Sequence, residues 1–198
     1  AGTVGRTAAR TALSIGAQVN LLTLKPEKME GLQKDIPGAV IEAFSEEKLK
    51  ELLPESDVLI VAVYSLNQEC EISINKELIG LMSKGSVVMD ISVEQSDVVQ
   101  TSHVTSPEQP SYLLDGIVYY GVPNIAALVP LTASRVITKR VLPFIKVLAQ
   151  KSLKEALIEQ PGLIPALNIY KGKITNRHYA EYFDLEFYNI FELLELNL

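Results

Sequence analysis

The feature that most constrains this chain is its opening, "AGTVGRTAARTALSIGAQVNLL". Two glycines among small residues lead into a helical pattern and then, past Gly16, into a short β-rich run. Gly2 and Gly5 fit the second and third glycines of a G-x-G-x-x-G turn, where the backbone leaves a buried strand and approaches a pyrophosphate at the N-terminus of the next helix. In that reading the first glycine and about six residues of strand lie upstream of Ala1. A short glycine match also fits a helix that simply begins with small residues.

The rest of the chain bears on that choice. Short apolar runs alternate with helical patterns, the signature of a parallel sheet with crossover helices. A helix is predicted over residues 3–15, a strand over 17–24, and a short helix over 25–35 with Pro26 in its first turn. A second strand follows over 39–44. Ser45 reads as the N-cap of a helix over 46–53, and "DVLIVAVY" as a central strand. The segment 74–85 reads as an amphipathic helix with Ile74, Leu78, Ile79 and Met82 on one face, and "SVVMDIS" as the next strand. "SYLLDGIVYYGV" suggests two strands about an Asp115-Gly116 turn. From residue 128 onward the pattern is helical, with Pro143 expected to kink or break the long helix, and no further strand is expected.

The fold class that follows is α/β: a Rossmann-like doubly wound parallel sheet, its first strand absent, followed by C-terminal helices. Five parallel strands are expected to end at Leu24, Phe44, Tyr64, Ser92 and Val122. Residues 1–130 form the dinucleotide-binding domain in this reading and 131–198 a C-terminal helical segment. In a doubly wound sheet of order 3-2-1-4-5-6 the first strand lies in the middle. Without it, backbone groups stay unpaired inside the core at on the order of 1–3 kcal/mol each. The expectation is therefore a C-terminal portion of a longer polypeptide. The apolar residues crowded into the last stretch, Leu185, Phe187, Tyr188, Ile190, Phe191, Leu193, Leu194 and Leu196, point the same way, since they need a partner surface.

Composition narrows the class. The chain has 198 residues, 47% of them hydrophobic, and a net charge of -6 with its 18 basic residues scattered. That charge offers no broad attraction for nucleic acid or an anionic membrane. No apolar run is long enough to insert in a membrane, and no signal-like segment opens the chain. One cysteine, Cys70, and two histidines, His103 and His178, argue against a disulfide framework and a zinc cluster, so no metal is expected. The expected setting is the cytoplasm.

The opening stretch, "SDVLIVAV" with "ELIGLMSKGSVVMDIS", the segment "YYGVPNIAALVPLTAS" and the late "LNIYKGKIT" together resemble the C-terminal part of alanine dehydrogenases. That family includes the nicotinamide nucleotide transhydrogenase domain and related opine-type dehydrogenases. The resemblance extends to about Phe183. Its most specific element is Val122 and Asn124 followed by Val129, Pro130, Thr132 and Ser134.

The resemblance implies NAD or NADP as cofactor. Gly2, Thr3, Val4 and Gly5 would wrap the pyrophosphate, and Ser45 would reach the adenine side or serve only as an N-cap. Val63 and Tyr64 would face the adenine ribose. Ile91, Val93 and Glu94 would follow the fifth strand, and Val122, Asn124 and Ile125 the sixth. Thr23 stands where the family has an acid for the ribose hydroxyls. With Lys25 and Lys28 behind it, the lost carboxylate would favour the 2′-phosphate of NADP, unless the lysines are simply solvated. Glu94 replaces an aspartate near the nicotinamide and is the one catalytic candidate in this chain. The family's Asn-Met-Pro-Gly becomes Asn124, Ile125, Ala126 and Ala127.

The implied reaction is hydride transfer between the cofactor and a small amino acid or its 2-oxo acid, in a homo-oligomer. The proton-relay histidine and the carboxylate-binding lysine would belong to another domain, leaving His103 and His178 without that role. Two other readings stay open: a transhydrogenase-like nucleotide-binding domain, and a non-catalytic relative.

Overall fold

The computed structural model describes residues 2–63, 72–95 and 97–195. Tyr64, the residues to 71 and Leu196 lie outside them. The chain divides into two compact units, Ala1–Leu128 and Val129–Leu198.

In the first unit, helix α1 (Thr3–Ser14) starts from an extended Gly2 and buries Ala9. Strand β1 (Asn20–Thr23) pairs in parallel with β2 (Val40–Ala43), Asn20 opposite Val40 and Thr23 opposite Ala43. Between them, Pro26–Lys28 forms a 3-10 turn that runs into α2 (Met29–Asp35). Ala9, Leu32, Ile36, Ala39 and Ile41 bury one another, with Leu13 and Leu21 at the margin. This small core orders the elements far more than the exposed Arg6–Asp35 ion pair does.

Helix α3 (Glu46–Leu52) follows, capped by Ser45, whose hydroxyl oxygen accepts the Lys48 N–H at 3.1 Å. The second sheet then forms from β3 (Val58–Val61), β4 (Val87–Asp90), β5 (Ser111–Leu114) and β6 (Ile117–Tyr120) in the order β3-β4-β6-β5. β3, β4 and β6 are mutually parallel, and β5 returns antiparallel on β6. Asp115 (φ 53°) and Gly116 (φ 89°) make the two-residue turn of that hairpin, both in the left-handed region that matches strand twist. No strand pairs β1 with β3 among the described residues.

Alternation along the strands gives the second sheet two unlike faces. Val61, Val88, Ile117 and Tyr119 face a core closed by Leu49, Leu53, Leu78, Ile79 and Met82. Val58, Val87, Val118 and Leu113 are register partners on the opposite face, where Val58 is 51% and Leu113 70% exposed.

Each predicted parallel strand appears, one to three residues shorter at its end than expected, but in two sheets rather than one, β1-β2 and β3-β4-β6-β5, with every pairing parallel except β5 on β6. Three expectations are corrected. The amphipathic helix shrinks to α4 (Lys76–Ile79) because the Ile74 N–H bonds the Val98 carbonyl at 2.6 Å and the Ile74 carbonyl takes the Gln100 N–H. That pairing holds Ile74 extended, yet Ile74, Leu78, Ile79 and Met82 are all buried. Of the kink or break expected at Pro143, the break does not occur, since helix α5 (Pro130–Gln150) continues through it. The second unit also contains strands, β7 (Ile169–Tyr170) and β8 (Lys173–Ile174), folded about Lys171 and Gly172, both at positive φ.

The rest of the second unit is helical. A capping box between Ser152 and Glu155 opens α6 (Leu153–Glu159). Asn176 caps α7 (Arg177–Tyr182), and Asn189 caps α8 (Ile190–Leu193). Leu157 and Ile190 form its small core with Leu163, Ile164 and Tyr170 around them. Of the crowded final residues, Ile190 is buried while Leu185 and Phe191 stay exposed. Helix α5 buries no residue and exposes Leu131, Ile137, Val141, Ile145 and Leu148.

Candidate functional site

An open parallel sheet binds ligands at the carboxyl ends of its strands. Register makes those ends level: Thr23 lies opposite Ala43 in one sheet, and in the other Val61 lies opposite Asp90 and Met89 opposite Tyr120. The predicted site residues gather accordingly. Thr23 and Ser45 sit at the ends of β1 and β2, Val63 after β3, Ile91, Val93 and Glu94 after β4, and Val122, Asn124 and Ile125 after β6.

Helix α1 shares the small core of the first sheet, Ala9 and Leu13 meeting Leu21 and Ile41 there. Gly2 caps it without a side-chain hydrogen bond, and no acidic residue lies in its first turn. The N–H groups at this end are therefore available to an anion, which the helix dipole also favours. At φ -85° the Gly2 backbone does not require glycine, and a Cβ built there would meet nothing within 4 Å.

The individual side chains differ in what they can offer. Thr23 is 2% exposed, and its hydroxyl oxygen accepts the Lys25 N–H at 3.2 Å. Val122 is also buried, so only its backbone is open to a ligand. The Ser45 oxygen is engaged by the helix it caps, although its hydroxyl hydrogen can still be donated. Thr3, Val4, Lys28, Glu94 and Asn124 are exposed, while Val63, Ile91, Val93 and Ile125 are half-buried. Asn124 holds φ at 47°, a left-handed conformation that asparagine tolerates, and its carbonyl accepts the Ala127 N–H to open a 3-10 turn.

Sequence reasoning missed a polar and aromatic cluster beside these residues. Asp90 is 1% exposed at the end of β4. Its Oδ1 accepts both the Ser92 N–H at 3.0 Å and the Ser92 hydroxyl at 2.9 Å, while its buried Oδ2 has no hydrogen-bond partner among the described residues. Burial raises the Asp90 pKa above the ordinary carboxylate value, outweighing the opposing influence of Ser92 and Ser102. Nearby, Tyr112 stacks between His103 at 3.8 Å and Tyr119 at 5.1 Å. The Tyr112 hydroxyl donates to the Thr101 carbonyl, and the Thr101 and Tyr119 hydroxyls meet at 2.9 Å. His103 is exposed with its ring on this stack, and His178 lies in α7. The available signal was an aspartate inside an apolar strand run, a type rarely buried without a partner.

Gly121 locks the cluster to the end of β6. A Cβ there would stand 2.4 Å from the His103 carbonyl oxygen, so only glycine admits the close approach, and the Gly121 carbonyl accepts the Thr105 N–H at 2.9 Å. A methyl of Val93 lies 3.6 Å from the same point, which brings the turn after β4 against the turn after β6.

Among the described residues no group of three or more His, Cys, Asp or Glu could hold a metal, and no helix is long and apolar enough to cross a membrane.

Known proteins share this fold and sequence. The chain is 35% identical over 187 residues to the alanine dehydrogenase of Halomonas elongata, covering 94% of this chain and 50% of that protein. It is 32% identical over 197 residues to alanine dehydrogenase 2 of Staphylococcus aureus, covering 98% and 53%. The chain thus spans about half the length of these curated relatives. A solved L-alanine dehydrogenase superposes with a TM-score of 0.82 at 32% identity, over 92% of this chain and 51% of that one. A transhydrogenase from Sinorhizobium meliloti shares the fold, with a TM-score of 0.62 at 22% identity over 73% of this chain and 42% of that one. The model of the alanine dehydrogenase/PNT C-terminal domain matches residues 1–177, and the chain belongs to that family.

Proposed function

We propose that this chain is the NAD(P)-binding part of an alanine-dehydrogenase-like oxidoreductase, acting on a small amino acid and its 2-oxo acid. The observation that carries the reading is the level set of strand ends in a chain of the alanine dehydrogenase/PNT C-terminal domain family, the place where an open parallel sheet takes its ligand. The first turn of α1 has no side-chain cap and no acidic residue, so the residues present fit the pyrophosphate of a dinucleotide.

In this reading the N–H groups of Thr3, Val4 and Gly5 hold the pyrophosphate. Ser45 and Val63 border the adenosine half. Ile91, Val93, Glu94, Val122, Asn124 and Ile125 border the nicotinamide half. Lys25 and Lys28 set the contact with the adenine ribose, with Thr23 buried behind them and holding the Lys25 N–H. Thr23 brings no carboxylate to repel a 2′-phosphate, and Lys28 is exposed close by, so discrimination between NAD and NADP is weak. A bound nicotinamide would supply the hydride acceptor or donor for the substrate α-carbon; the imino acid and the 2-oxo acid would interconvert by taking up water and releasing ammonia in one direction, and by taking up ammonia and releasing water in the other.

Residues 1–130 carry cofactor binding in this proposal, and residues 131–198 dock on a further domain or subunit through the exposed apolar side of α5. Calorimetric titration of the full gene product with NAD and NADP, followed by an assay for alanine-dependent NAD(P)H formation, tests the reading. Micromolar binding of at least one dinucleotide is expected. Binding of neither would overturn it and leave the non-catalytic alternative; binding without amino-acid oxidation would remove the substrate half alone.

A further inference from the structure

We propose that Asp90 is a positioning residue that sets the turn over residues 91–95 for the nicotinamide half of the dinucleotide. The inference rests on the reading of the site given above. Asp90 sits one residue before the candidate segment, at the last position of β4, and its side chain is wholly inside the protein. Both donors of Ser92, the backbone N–H and the hydroxyl, converge on the same oxygen, Oδ1. Ser92 is itself buried, and its carbonyl accepts the Gln95 N–H at 2.8 Å.

The backbone is thus fixed on both sides of Val93 and Glu94. On the near side Ile91 is held by its N–H to the Val61 carbonyl at 2.9 Å, so the turn leaves the sheet from a paired residue. On the far side Val93 packs toward Gly121, at the root of the segment bearing Asn124.

A carboxyl group is an expensive way to close such a turn. Its second oxygen is buried with no hydrogen-bond partner among the described residues, and an unpaired polar atom in the interior is destabilising. Only Oδ1 is used in the turn, so an amide of the same shape can replace the carboxyl group in this role. A side chain without an acceptor cannot. The adenosine half of the site, at Thr23, Ser45 and Val63, lies on other strands; the turn meets one of them, β3, through the Ile91 N–H on the Val61 carbonyl, a bond in which the Asp90 side chain takes no part.

Binding of NAD (or NADP, whichever the wild type prefers) and of ADP-ribose to the full gene product separates this role from a general structural one. The Asp90→Ala change is expected to weaken dinucleotide binding about tenfold while ADP-ribose binding stays within about twofold. Asp90→Asn restores dinucleotide affinity to within about threefold of the wild type, and Ser92→Ala gives a selective loss smaller than that of Asp90→Ala. If Asp90→Ala does not fold, the Ser92→Ala and Asp90→Asn pair decides the matter by the same criterion.

Equal losses for the two ligands, no loss for either, or an asparagine no better than alanine would overturn the assignment of Asp90. A wild-type protein that binds neither ligand overturns the proposed function instead, and the assignment falls with it.

Discussion

Replacing Gly121 by alanine offers a sharp physical test of how the site is built. The added methyl would sit 2.4 Å from the His103 carbonyl oxygen, about 0.8 Å inside the closest comfortable carbon–oxygen approach of roughly 3.2 Å. The atom it meets is backbone, so no rotamer change relieves the contact and the 103–105 segment must withdraw. Withdrawal strains or breaks the hydrogen bond from the Thr105 N–H to the Gly121 carbonyl and disturbs the stacking of His103 on Tyr112. Overpacking of this kind costs about 1–3 kcal/mol, and the hydrogen bond about 1 kcal/mol more. A loss of about 2–4 kcal/mol lowers the melting temperature of a chain this size by about 5–15 °C. Differential scanning calorimetry reads the shift directly. Dinucleotide affinity should fall with it, because Val93 and Asn124 flank the displaced segment. A Gly121→Ala protein melting within about 2 °C of the wild type would refute the close approach on which the geometry depends.

Four further outcomes are expected. Gly2→Ala leaves the melting temperature within about 3 °C, since nothing in the protein meets the new methyl and an N-cap glycine is worth about 1 kcal/mol over alanine. Its dinucleotide affinity nevertheless drops at least about tenfold, and unchanged affinity in a titration would remove the placement of the pyrophosphate at Gly2. Thr23→Asp shifts preference toward NAD over NADP in competition titrations, at some cost in stability because position 23 is buried; tight, exclusive NAD binding before the change would show the reasoning about Thr23 to be wrong. Asp90 has a folded pKa above its unfolded value of about 3.9, so its favourable contribution is complete below that value and is lost as pH rises through the folded pKa. Asp90→Asn should therefore gain stability relative to the wild type more at pH 7 than near pH 3.5, and equal differences in urea midpoints at the two values would contradict this. Finally, the 198-residue chain produced alone should self-associate through the exposed apolar residues of α5, an expectation that a monodisperse monomer in light scattering would end.

The parallel strands were legible because each is a short apolar run bounded by helix signals, and Ser45 was legible as a cap because a hydroxyl before two glutamates has few other uses. The Asp115-Gly116 hairpin was equally plain, since that dipeptide matches the turn's positive φ values. The same chemistry at Lys171-Gly172 was overlooked because its strands are only two residues long and sit among helices. Ile74 misled because an apolar face looks alike whether the residue is helical or bridged to a distant segment. At the site, residue types at strand ends indicated where a ligand would lie. Burial could not be read that way: nothing in "LLTLK" distinguishes a threonine facing a ribose from one turned inward. Asp90 escaped notice because its hydrogen-bonded partner Ser92 is a local neighbour like any polar pair in a turn, while its burial depends on strands far along the chain.

The separation of β1–β2 from β3-β4-β6-β5 bears on how the first unit opens. No backbone hydrogen bond joins the two sheets among the described residues; Leu22 and Phe44, packed against the larger core, supply the contact instead. Side-chain contact is non-directional, so one sheet can loosen without tearing a ladder in the other. Amide protons of β1 and β2 should then exchange with solvent as one cooperative block, ahead of those in β4 and β6. Ligand protection becomes a map of the bridge: a dinucleotide held by α1 and by the turns after β4 and β6 would slow exchange in both blocks together, whereas ADP alone would slow mainly the first.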